Sequence, residues 1–106
     1  MHDYETIRLS LKAHPVAFLR PRLAALGAVR ANELKGIPDG RRIKVGGVVL
    51  VRQRPGTSGV VFVTLEDETG VANVVIWPKL FERFRPEVMG ARLMLVEGRL
   101  QRAGEA

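Results

Sequence analysis

The 106-residue sequence contains no cysteine, which rules out disulfides and thiolate metal sites. Histidine is scarce as well: His2 lies near the terminus and His14 stands directly before a proline, and no cysteine or paired carboxylate beside either offers a triad or a zinc site. No apolar run approaches the ~18 residues that a membrane span needs, and Met1-His-Asp-Tyr-Glu5 lacks the basic-then-apolar layout of a signal peptide. A soluble, cytoplasmic protein with no membrane partner is therefore expected. Gly46-Gly47 lacks the Gly-Lys-Ser or Gly-Lys-Thr ending of a phosphate loop. The only dense acid cluster, Glu66-Asp-Glu68, falls where a turn is expected, and an Asp close before Thr69-Gly70 suits turn geometry, so a solvated turn is predicted. No catalytic residue, no metal and no cofactor is expected, and a chain of this size has room for one small core.

What the sequence does contain is positive charge and β-branched residues. The net charge is +6 and unevenly spread: residues 41–59 hold Arg41, Arg42, Lys44, Arg52 and Arg54 with no acid, whereas the charged residues of 60–78 are Glu66, Asp67 and Glu68. The basic stretch borders Val60 to Trp77, two β-branched runs joined by the acidic turn and a glycine, which read as a β-hairpin. Val61, Val63 and Leu65 alternate with Phe62, Thr64 and Glu66; across the turn Ala72, Val74 and Ile76 alternate with Asn73, Val75 and Trp77. One face is apolar and fits a core. The other presents aromatic rings, a hydroxyl and an amide beside guanidinium groups, a mixture suited to single-stranded nucleic acid. The competing reading is a solvated, arginine-rich surface without a polyanion partner.

Two parts separate along the chain, residues 1–40 and residues 41–106. In the first, Leu9 to Pro15 leads into Val16, Leu19, Leu23 and Leu26, a spacing near 3.6 that predicts a helix started by Pro15 and ended at Gly27. Pro21 is expected to kink or divide it. Asn32 to Lys35 reads as a helical turn capped by Asn32, and Gly36 to Gly40 as a connector with a tight Pro-Asp-Gly turn. The second part is mostly strand. Ile43 to Val51 comes first, with Gly46-Gly47 permitting a bulge or sharp coiling. A loop from Gln53 to Gly59, the hairpin, a short helix from Pro78 to Arg85 and a strand from Leu93 to Leu100 follow. The predicted fold class is α+β, mainly β: short N-terminal helices, then a five-stranded Greek-key OB-fold barrel, whose helix lies between its third and fourth strands. Gln101 to Ala106 reads as a polar turn, so the last strand is expected to be missing. Its loss leaves edges along Val71 to Ile76 and Leu93 to Leu100 that template self-association.

Arg42-Ile-Lys-Val-Gly-Gly-Val-Val49, Val61-Phe-Val-Thr-Leu-Glu-Asp-Glu-Thr-Gly70, Asn73-Val-Val-Ile-Trp-Pro78 and Val96-Glu-Gly-Arg-Leu100 resemble the anticodon-binding type of nucleic-acid OB-fold. Class II aminoacyl-tRNA synthetases, replication proteins and polymerases share it. With Ser10-Leu-Lys-Ala-His-Pro15, Leu19-Arg20, Val51-Arg-Gln-Arg-Pro-Gly56 and Trp77-Pro-Lys-Leu-Phe-Glu-Arg83, nearly the whole chain resembles the C-terminal region of bacterial error-prone DNA polymerases. These are damage-induced relatives of the replicative polymerase III alpha subunit. The resemblance implies an excised accessory domain of a DNA-directed DNA polymerase that serves translesion synthesis in DNA replication and repair. Its implied partners are single-stranded DNA, the rest of the polymerase chain and other translesion-synthesis proteins. Nucleotidyl transfer needs carboxylates converging on two metal ions, and the family's palm-domain carboxylates have no counterpart here, so the chain by itself is not expected to be an enzyme.

The candidate nucleic-acid-binding residues are Phe62, Thr64, Asn73 and Val75 on the outward hairpin face, with Arg42, Lys44, Arg52 and Arg54 on and after the first strand. In the aspartyl-type anticodon-binding modules that the hairpin is similar to, an aromatic at the point matching Phe62 stacks on a base and an amide matching Asn73 contacts one. Stacking is worth ~1–3 kcal/mol per base and tolerates sequence variation. The competing reading buries Phe62 beneath the N-terminal helices or in a tapered barrel. Arg52 and Arg54 are expected to contact phosphate or stack on bases, with Arg42 and Lys44 extending the path. Trp77, just before a proline-led helix, is expected to anchor that helix to the barrel. His14 is expected to start the first helix and pack against the barrel. Two other functions keep the same residues: a protein-docking module within the polymerase assembly, and a freestanding tRNA-binding module.

Overall fold

The computed structural model describes residues 14–54 and 56–101. The start of the N-terminal pattern, from Leu9, and the tail read as a polar turn, from Arg102, lie outside them. Helix α1, Pro15–Ala25, opens with a proline where an N–H would have no partner anyway, and the ring of His14 caps it, with Nδ1 accepting from Val16 N–H at 3.1 Å. Gly27, at φ +88°, turns the chain out of the helix. Pro21 does not divide α1. The carbonyl it leaves without an amide donor belongs to Ala17, and both residues are solvent-exposed, where water can serve it.

The N-terminal part is not purely helical. Strand β1, Ala28–Val29, pairs in parallel with Lys44 and Val45. A 3-10 turn, Ala31–Gly36, follows; Glu33 accepts from Arg30 N–H at 2.7 Å, whereas Asn32, the expected cap, gives its own N–H to Thr69 Oγ1 at 3.0 Å. The sheet then builds from β2 (Arg42–Gln53), β3 (Val61–Glu66), β4 (Val71–Ile76) and β5 (Leu93–Arg99). Between β4 and β5 stand two short helices, α2 (Pro78–Arg83) and α3 (Arg85–Gly90), in place of the single one expected. Strand β2 is central, antiparallel to β3 on one side and β5 on the other, and β4 adds to β3. Among the described residues β4 pairs with β3 alone and β5 with β2 alone, so the barrel is open between them.

Inward side chains follow the alternation: Val45, Val61, Val63, Leu65, Ala72 and Ile76 fill the core, and Phe81 of α2 and Val88 of α3 close its end. Gly46-Gly47 is not a bulge, because both residues stay in register with Leu95 and Met94 of β5. Gly47 is required for approach: a Cβ there would lie 2.7 Å from the carbonyl oxygen of Glu66. The bulge falls later, between Val49 and Val51.

The β3–β4 turn is not solvated; it is where the N-terminal part docks. Asp67 is buried and saturated with donors. Its Oδ1 accepts from Thr69 N–H, Thr69 Oγ1 and Gly70 N–H at 2.7, 2.8 and 3.1 Å, and its Oδ2 from Ala31 N–H at 2.8 Å and Arg20 at 3.2 Å. Burial pushes this carboxyl up, but the donors from Thr69, Ala31 and Gly70 outweigh it and hold it below the ordinary carboxylate value. Arg20 also donates twice to Glu68, at 2.7 and 2.9 Å. Those bonds, stronger than the opposing burial, bring Glu68 down to about 2, and the same pairing raises Arg20 further. Glu66 meets His14 Nε2 at 3.1 Å. Since His14 Nδ1 is an acceptor, Nε2 carries the proton and donates.

Candidate nucleic-acid interface

Cross-strand register places the outward side chains of β2, β3 and β4 in rows. One row is Val51, Thr64 and Asn73; the next is Gln53, Phe62 and Val75. Directly paired residues of antiparallel strands share a face, so these six form one surface. Phe62 is 42% exposed and Val75 43%, which places the ring in solvent contact and not beneath the N-terminal helix. Thr64 Oγ1 donates to Asn73 Oδ1 at 3.1 Å, which leaves the Asn73 amide nitrogen free to donate outward. At one end the surface stops at Glu66, where His14 and the start of α1 sit. Toward the other end it continues to Trp77, which is 60% exposed.

Trp77 thus does not anchor α2. Ile76 is buried and Trp77 follows it in extended backbone, so strand alternation sends the indole outward, and Phe81, one turn into the helix, is the residue that enters the core. The signal was present in the sequence, since Trp77 continues the Asn73, Val75 series.

The basic residues do not join this surface. Arg52 pairs with Val63 and so points inward; its guanidinium donates to the carbonyls of Val88, at 2.6 Å, and Ala91, closing the C-terminal end of α3. Arg54 lies over the Phe81 ring, 4.9 Å from its centroid. Lys44 Nζ donates to the Leu26 carbonyl at the end of α1, 3.0 Å away. Arg42 pairs with Glu97 across to β5 at 3.1 Å. The structure therefore groups Phe62, Thr64, Asn73 and Val75 and leaves Arg42, Lys44, Arg52 and Arg54 in four other places. Val51 and Gln53 join the face instead, and neither was expected there.

A mixed aromatic, aliphatic and hydrogen-bonding surface on the second and third barrel strands can stack bases and read their edges. Comparison with known proteins agrees with this architecture. Residues 43–106 match the family described as OB-fold nucleic acid binding domain. The chain is 64% identical over 104 residues to an error-prone DNA polymerase of Bradyrhizobium sp. (strain ORS 278), a match that covers 97% of this chain and 9% of the relative. Error-prone DNA polymerases of Brucella abortus biovar 1 (strain 9-941) and Sinorhizobium medicae (strain WSM419) are 61% and 52% identical, over 97% and 95% of this chain and 10% and 9% of their own lengths. The chain thus spans about a tenth of the length of these relatives. With strand order, helix placement and family match in agreement, the chain belongs to the OB-fold nucleic acid binding domains.

Proposed function

We propose that this chain binds single-stranded DNA template as an accessory domain of a cytoplasmic error-prone DNA polymerase acting in damage-induced translesion synthesis. The observation that carries the reading is the half-exposed Phe62 ring, set among Gln53, Thr64, Asn73 and Val75 on the outward face of β2, β3 and β4. A ring of that exposure offers a π-face to any base, which suits a template of arbitrary sequence. The remainder of the polymerase and other translesion-synthesis proteins are its proposed partners, and the edges of β4 and β5, which pair with no further strand among the described residues, support self-association as well. No helix among the described residues is long and apolar enough to cross a membrane.

A second reading, a docking face for another part of the polymerase assembly, is favoured by the lack of any Lys or Arg in the two surface rows. Titration with labelled single-stranded DNA at two salt concentrations separates them. Binding that weakens as salt rises supports the template role, because phosphate contacts release counterions. Absence of binding at low salt favours docking.

A further inference from the structure

We propose that Trp77 is a second base-stacking platform, so that the site holds at least two bases of a single DNA strand running from Phe62 across Trp77 toward α2. The inference rests on the single-stranded DNA reading above and extends it to a residue outside the expected contact set. Trp77 is the only tryptophan in the chain and at 60% exposure is more open than Phe62. A tryptophan ordinarily buries a large apolar area, whereas this one keeps most of its surface in solvent. Phe62 pairs with Val75, so Trp77, two residues further along the same face, stands diagonal to it. Diagonal neighbours on an antiparallel pair lie about 7–8 Å apart. That is roughly twice the ~3.4 Å rise per nucleotide of a stacked strand, so each ring can take its own base without competing for it.

Electrostatics favour an anionic ligand at this end. Phe81 N–H donates to the Trp77 carbonyl, so Phe81 follows Trp77 by one helical turn, with its ring in the core while the indole faces outward. Over the Phe81 ring lie two guanidinium groups, Arg54 at 4.9 Å and Arg85 at 4.7 Å from the centroid. Among the described residues neither forms an ion pair with an acid. Cation–π attraction holds two like charges near one ring, and a phosphate on a strand leaving Trp77 would relieve their repulsion. Gly59, at φ +84°, packs its backbone against Pro78, where a Cβ would sit 3.3 Å from the proline ring, which holds the loop before β3 beside the start of α2. The strand would therefore lie with its bases on the outward face at Phe62 and Trp77, and its backbone would meet Arg54 and Arg85 only beyond the edge of that face, where Arg54 follows Gln53.

The sole tryptophan makes the test direct. A fluorescein-labelled oligothymidylate of roughly 12 nucleotides, within the span of OB-fold sites, is titrated with the 106-residue chain while anisotropy and tryptophan emission are both recorded. Emission is expected to be quenched with the same midpoint as the anisotropy rise. Trp77→Ala is expected to weaken binding about 5- to 150-fold, and Trp77→Phe to recover most of the loss, with melting temperatures unchanged because the side chain is exposed. If the oligomer binds, Phe62→Ala weakens it, and yet Trp77 emission and Trp77→Ala affinity stay at their starting values, the platform is overturned while the Phe62 site stands. If Trp77→Ala lowers the melting temperature and leaves affinity per folded molecule unchanged, the indole is a structural anchor and the proposal fails. No binding by any form would remove both readings together.

Discussion

Phe62 and Arg52 are expected to trade the roles that charge alone suggests. Phe62→Ala should weaken single-stranded DNA binding by ~1–3 kcal/mol and leave the melting temperature nearly unchanged, since the ring is already half in water; parallel binding and thermal melting measure the two effects. Arg52→Ala should do the reverse. It removes charge-assisted bonds to the Val88 and Ala91 carbonyls, worth roughly 1.5–3 kcal/mol each where desolvated and less at the partly exposed edge. The melting temperature should drop while the dependence of affinity on salt stays as it was. The outward set Phe62, Thr64, Asn73 and Val75 was legible because alternation in β3 and β4 is unbroken. Arg52 was not, because one extra residue between Val49 and Val51 reverses the parity of β2 beyond it. Unbroken counting puts Arg52 outside and Val51 inside; the bulge exchanges them. The Gly46-Gly47 pair, the visible candidate for such an irregularity, serves a different need.

At the scale of elements, that need is the close approach of β2 to the end of β3 at Glu66. Gly47→Ala would place a methyl carbon 2.7 Å from the Glu66 carbonyl oxygen and 2.9 Å from its carbon, against backbone that cannot swing aside. A loss of about 1–3 kcal/mol is expected by the overpacking rule, read from the denaturant midpoint, whereas Gly46→Ala meets the flexible side-chain ends of Leu23 at 3.0 Å and Leu95 at 3.5 Å and should cost less. The turn after β3 carries its own pH signature. Glu68 is depressed from 4.5 to about 2 by Arg20, and Asp67 is lowered as well. Folding favours both carboxylates, so their contribution is complete above the unfolded values and lost as pH falls through the folded ones. Melting temperature should hold from about pH 7 to 5 and fall between about 5 and 2, and Glu68→Gln should flatten that fall. Nothing in Glu66-Asp-Glu68 distinguished a docking point from a solvated turn. The partners, His14, Arg20 and Ala31, lie 52, 48 and 36 residues away, and local pattern carries no information at such range.

For the whole molecule, the consequence is that the division near residue 40, plain in composition, is crossed by the contacts that matter most. β1 is a member of the sheet, Lys44 closes the end of α1, and Asp67 is satisfied only when Arg20 and Ala31 are in place. The OB order itself was readable from spacing alone, since hairpin, proline-led helix and final strand each have local signals. This clamp also sets an order of events in time. An 11-residue helix has marginal stability in isolation, and the acceptors that hold α1 do not converge until β3 and β4 have closed their turn. Loop closure over some 50 residues is slow relative to closing a hairpin. α1 should therefore settle after the rate-limiting barrier, and Arg20→Ala should quicken unfolding in stopped-flow denaturant jumps while refolding keeps its rate. The helix that tethers the turn is then the last element to arrive and the first to leave, a latch on a hairpin that closes without it.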